Sequence, residues 1–134
     1  MNSKLHIFAG IFASREDACL YTEAQWESEP DEAASDEEYA AWEDGNPVWA
    51  FRDDMGGIYL DSDFIETIDG HQRYKYLETY LVNDGDLLTI ENAAPDANIL
   101  LLVFPDALGG FDAQFRSTSK MIYCGCLLYT SPSP

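Results

Sequence analysis

Apolar positions along the chain change their spacing several times, and each change marks an element. Residues 4–12 place Leu5, Ile7, Phe8, Ile11 and Phe12 in a weakly alternating run, which predicts a first buried strand. Gly10 inside that run marks a bulge or a close approach of another backbone. Ser14-Arg15-Glu16-Asp17 has the form of a capping box, in which a serine oxygen and a third-position acid satisfy orphan amides at a helix start. A helix is predicted over about 15–26, presenting Ala18, Tyr21 and Gln25 on one face. Residues 27–35 form an acidic loop in which Pro30 prevents continuous helix. Ser35-Asp36-Glu37-Glu38 repeats the capping signature, and Tyr39 and Trp42, three apart, give a short second helix an aromatic face. The three acids at its start favour the positive end of the helix dipole, and Gly45-Asn46-Pro47 ends it.

Further along, residues 48–51 and 58–60 read as short strands around a Gly56-Gly57 turn, and 63–68 as a third strand closing at Asp69-Gly70. Tyr74, Leu77 and Leu81 mark the apolar stripe of one helix, and Leu87, Leu88, Glu91 and Ala94 fit another, with 83–86 between them. The run 98–104, bounded by Pro95-Asp96 and Pro105-Asp106, is the clearest strand; its lack of alternation places it centrally, covered on both faces. Residues 108–111 form a loop and 120–125 a last strand. Strands and helices interleaved without strict alternation indicate an α+β class, a single small domain with a mixed sheet and helices packed on it.

A chain of 134 residues can bury roughly two-thirds of its unfolded surface, so a core forms without cross-links. With 46% hydrophobic residues the chain has the apolar content to fold, unlike a disordered acidic tail. Charge changes the picture most: 25 acidic residues against 7 Lys and Arg give a net charge of -18. Such a surface repels nucleic acid and anionic membranes and attracts basic protein surfaces, whose capture it accelerates. The longest apolar run, residues 99–104, is far short of the about 20 residues a membrane helix needs. Residues 1–4 lead into an apolar stretch that Arg15, Glu16 and Asp17 interrupt, unlike a secretory leader, so a cytoplasmic location is expected. Cys19, Cys124 and Cys126 are too few and too irregularly placed for a disulfide framework.

Asp61-Ser62-Asp63 with Glu66 is the set a metal-dependent hydrolase would draw on, since hard cations need several carboxylate oxygens, but it lacks the twelve-position spread and turn glycine of a calcium loop. His6 and His71 have no nucleophile spaced to pair with them, Cys124-Gly125-Cys126 is too close for a Cys-x-x-Cys site, and Gly109-Gly110 lacks the phosphate-binding sequence. No catalytic group, metal ligand or cofactor is assigned. The segment 26–54 differs in kind, mixing many acids with Trp42 and Trp49, because protein interfaces combine aromatic anchors with steering charge. Either tryptophan could equally serve the core.

The last nine residues, 126–134, resemble translated adapter read-through at the end of a sequenced gene, and the expected native domain is residues 1–125. Within it, His6-Ile7-Phe8-Ala9-Gly10-Ile11-Phe12-Ala13-Ser14 leading to Glu16-Asp17-Ala18 and Tyr21, then Tyr59-Leu60-Asp61-Ser62-Asp63-Phe64-Ile65-Glu66, resembles the Immunity protein 22 family of bacterial polymorphic-toxin systems. The likeness extends through residues 94–98 to Tyr123-Cys124-Gly125. It implies an α+β protein, not an enzyme, that protects its producer by binding a cognate toxin. Many such toxins act on nucleic acid and need cationic surfaces, which an acidic inhibitor can occupy. Glu37, Glu38, Trp42, Glu43, Asp44, Asp61, Asp63 and Glu66 are the partner-contact candidates. The alternatives are a metal-dependent hydrolase or a small-molecule or scaffold-binding module.

Overall fold

A computed structural model describes residues 4–130. Strand β1 (Lys4–Gly10) leads to helix α1 (Arg15–Thr22), which begins where Ser14 Oγ accepts the Asp17 amide at 3.1 Å. Helix α1 stops four residues short of the predicted end. Glu23 turns extended and Gln25 forms a two-bond bridge with Val48, each amide meeting the other's carbonyl at 2.8 Å. Helix α2 (Asp36–Gly45) starts on the second capping signature, Ser35 Oγ accepting the Glu38 amide at 3.1 Å.

Residues 48–51 correct the sequence reading: only Val48 makes a bridge, and Ala50–Asp54 is helix α3. Phe51 and Met55 lie four apart and are both buried, a helical spacing hidden in a stretch too short to show its period. Gly56-Gly57, read as a hairpin turn, is the helix's C-terminal cap. The Gly56 amide reaches Asp53 O at 3.0 Å and the Gly57 amide reaches Arg52 O at 2.9 Å, a Schellman arrangement that needs the positive φ of 84° at Gly56. Residues 58–60 are extended without a partner strand, another departure from the sequence reading; Leu60 is buried and the Asp61 amide meets Ala107 O. A 3₁₀ turn at Ser62–Phe64 precedes β2 (Ile65–Ile68). Helices α4 (Arg73–Glu78) and α5 (Asp86–Ala93), strand β3 (Ile99–Val103) and strand β4 (Met121–Leu128) complete the fold.

The α+β class and single domain stand, and the sheet, ordered β2-β3-β1-β4, is antiparallel in every pair rather than mixed. Strand directions alternate across the sheet, so β1 and β2, and likewise β3 and β4, point the same way without being neighbours: the β1–β2 and β3–β4 connections cross to the opposite end of the sheet, and only β2–β3 returns at the end it left. All five residues of β3 are buried, as its unbroken apolar run predicts, because both faces of the sheet are covered. On one face Phe8, Ile99, Leu101 and Val103 meet Ala18 and Tyr21 of α1 and Phe51 of α3. On the other, Leu5, Ile7, Leu100 and Leu102 meet Leu77 of α4 and Ile90 of α5. Strand β4 continues past residue 125 beyond a bulge at Cys124-Gly125, where Gly125 takes a φ of 98°, and Cys126 and Leu127 pair with His6 and Leu5.

Gly10 sits at a close approach, as its place in the first strand indicates. A Cβ there would lie 2.8 Å from the carbonyl oxygen of Lys120, a backbone atom that cannot step aside. Gly10→Ala is therefore expected to lower stability by about 1–3 kcal/mol, read as a lower urea midpoint at unchanged slope. A midpoint equal to wild type would mean that the β1–β4 spacing is wrong.

Candidate partner-binding site

Helix α2 belongs to an excursion that stands outside both cores: none of its residues is buried. Its hold on the rest comes from local bonds. The Trp42 Nε1–H donates to Glu27 O at 3.1 Å, and the Asn46 amide side chain accepts from the Glu27 amide and donates to Trp42 O, both at 2.8 Å. Tyr39 OH donates to Glu29 at 2.6 Å, and that bond, more than its slight desolvation, raises the phenol's pKa and keeps it a neutral donor. The rings form a chain, Tyr39 to Trp42 at 5.5 Å and Trp42 to Trp26 at 5.8 Å between centroids.

Around this aromatic set the charge is of one sign. No Lys or Arg occurs between Arg15 and Arg52, while the same stretch carries twelve Asp and Glu. Glu37, Glu38, Glu43 and Asp44 are all exposed, and Trp42 is half-buried. Trp49 is a core residue, 2% exposed, its indole N–H donating to Thr22 O at 2.8 Å and its ring carrying the Arg52 guanidinium at 5.6 Å. Trp26, by contrast, is 61% exposed. The sequence reading places it at the end of a helix and passes over it; its spacing from Trp42 gives no sign that the chain folds back to join them.

The second acidic group is spread out. Asp61 accepts the Asp63 amide at 3.0 Å and so caps the 3₁₀ turn, while both Glu66 oxygens accept from Tyr76 OH, at 2.8 and 3.0 Å. Desolvation first, and then the bonds to Tyr80 and Glu66, push the Tyr76 phenol upward. Asp63 and Glu66 line a shallow groove with Phe64, Tyr80 and Phe104. Among the described residues no group of three or more His, Cys, Asp or Glu side chains is placed to hold a metal ion.

A groove of about 330 Å³ joins the two segments in space. It is lined by Trp26, Ser62 and Ile65 together with Thr22, Glu23, Ala24 and Trp49. None of the eight partner-contact candidates lines this groove; they adjoin it only through Trp26, whose ring packs on Trp42, and through Ser62, which lies between Asp61 and Asp63 in the chain.

Burial raises the Cys19 and Cys124 thiols, which disfavours thiolate at neutral pH, and all three cysteines are free. His71 is exposed. His6 Nδ1 lies 2.8 Å from Tyr123 OH and its ring packs on Phe115 at 4.4 Å; burial first, then nearby Lys4, lowers its pKa below 6.5. The unfolded chain therefore takes up this proton at higher pH than the folded one, so stability from His6 is fully present above 6.5 and falls as pH drops below it. The unfolding free-energy gap between wild type and His6→Gln should shrink from pH 7.5 to pH 5, the shared carboxylate titrations cancelling in the difference. A pH-independent gap would show that the imidazole is not desolvated.

Among the described residues no helix is long and apolar enough to cross a membrane. No known family model, curated protein or solved structure matches the chain.

Proposed function

We propose that this protein is an immunity protein of the bacterial cytoplasm that binds a basic toxin, of nuclease type, and blocks it by covering its cationic surface. One observation carries the reading: a long, exposed segment of purely negative charge, set on an aromatic excursion that neither core uses. Charge that is only solvating would need no such anchor; aromatic rings framed by charge suit a protein partner. The field of the acids steers a cationic partner during encounter, and speed matters for an inhibitor that must act before damage occurs. The resemblance to immunity proteins, carried by residues 6–21 and 59–66 and extending through 94–98 to 123–125, points the same way. The dispersed carboxylates at 61–66 lend no support to the hydrolase alternative.

The test is growth. Cells expressing the toxin domain encoded beside this gene should survive when the chain is co-expressed, and a one-to-one complex should be recovered from them. Undiminished killing, or the lack of any toxin gene alongside, would defeat the proposal.

A further inference from the structure

The groove beside Trp26 has a chemistry more particular than a general negative face. Trp26, whose ring packs on Trp42, lines it together with Ser62 of the 3₁₀ turn, Ile65 at the start of β2 and the buried Trp49. Glu23 lines it, and Glu27 follows Trp26 in the chain. Trp26 and Trp42 already touch, so nothing fits between them, and the surface left open is the face of Trp26 turned away from Trp42.

The protein uses cations on aromatic rings elsewhere. Arg52 lies over Trp49 at 5.6 Å and Arg73 over Tyr74 at 4.9 Å. Among the described residues no cation lies over Trp26, although its ring is the most exposed indole and sits in the most acidic part of the chain. A large apolar ring open to water, with the Glu23 carboxylate lining the same groove and no cation over it among the described residues, is complementary to a cation supplied from outside.

We infer that this groove receives an arginine side chain of the bound protein, its guanidinium stacked on Trp26 and paired with the neighbouring carboxylates. The inference rests on the proposed toxin-binding function and names the contact at its centre. Arginine fits better than lysine for two physical reasons. Its planar, weakly hydrated guanidinium can lie flat on an indole inside a half-apolar groove, and its donors can still reach carboxylates at the rim. A lysine ammonium is strongly hydrated and gains from the acids alone. Phosphate-bearing ligands are excluded by the same carboxylates that attract the guanidinium.

The experiment compares acetylated, amidated tetra-arginine with tetralysine by calorimetric titration of the whole chain at low salt. Wild type should bind tetra-arginine about fivefold more tightly than tetralysine. Trp26→Ala, which leaves every charge in place, should erase that preference, and Trp26→Tyr should retain most of it. Because Trp26 lies outside the cores, both variants should keep the wild-type circular dichroism and the emission of buried Trp49. Equal binding of the two peptides by wild type, or an arginine preference surviving in Trp26→Ala, would overturn the inference. Growth rescue separates the two ideas. Lost preference with intact rescue by Trp26→Ala removes the groove contact alone, whereas absent rescue with an intact wild-type preference removes the immunity reading alone.

Discussion

Phe8→Ala should cost the fold about 3–5 kcal/mol, the largest loss expected from any single truncation considered for this chain. Phe8 is fully buried in β1, which is paired on both sides, to β3 and to β4. Its ring makes an edge contact with Phe51 at 5.0 Å and packs on Tyr123 at 4.9 Å and Phe115 at 5.7 Å. A strand held between two neighbours cannot move in to fill the space, so the cavity persists and its cost adds to the lost transfer energy. A small domain has about 5–15 kcal/mol in total, so the variant should be measurably unfolded at modest urea. Ile11→Ala, at a position 68% exposed just beyond the same strand, should change stability by no more than about 0.5 kcal/mol. Equal effects of the two substitutions would mean that the sheet packing described here is wrong.

Neutralising Glu37, Glu38, Glu43 and Asp44 together, by Glu→Gln and Asp→Asn, should slow association with the proposed basic partner about tenfold at low salt. These side chains are exposed and accept no hydrogen bond from another side chain, so their removal changes the field more than any contact. The difference should close as salt rises, because the Debye length falls from about 30 Å at 0.01 M to about 10 Å at 0.1 M. Dissociation should change less than association. Folding should be little affected, since losing Glu37 and Glu38 from the first turn of α2 costs about 0.3–1 kcal/mol while relief of self-repulsion offsets it. Stopped-flow mixing at two ionic strengths reads this directly; an on-rate ratio that does not move with salt would show that these charges do not steer.

The architecture explains how one small chain can carry so lopsided a charge. Two apolar layers close the sheet on both faces, and α2 takes no part in either. The acids of the excursion therefore repel one another without opening a core, while the Asn46 and Trp42 bonds keep the loop and helix together. Stability resides in the sheet and its two apolar layers, so the excursion can change without opening either core.

What the sequence determined by itself lies within a few residues of each signal. Ser14 and Ser35 start their helices because a cap bond spans three positions, and the apolar run of β3 places it at the centre because a strand covered twice has no polar side. The tertiary structure decided what depends on distant partners. Residues 50–54 are helical because Phe51 and Met55 fill one side of a core built mainly from other elements, and Gly56-Gly57 caps that helix with the same positive φ that would have served a hairpin. Helix α1 ends early because Gln25 finds Val48, and the groove beside Trp26 exists only because residues 26, 62 and 65 come together across thirty-odd positions of chain. Local hydrogen bonds are written in adjacent letters. Burial is a property of the assembled body, and an indole such as Trp26 is core or surface according to neighbours that its own segment does not contain.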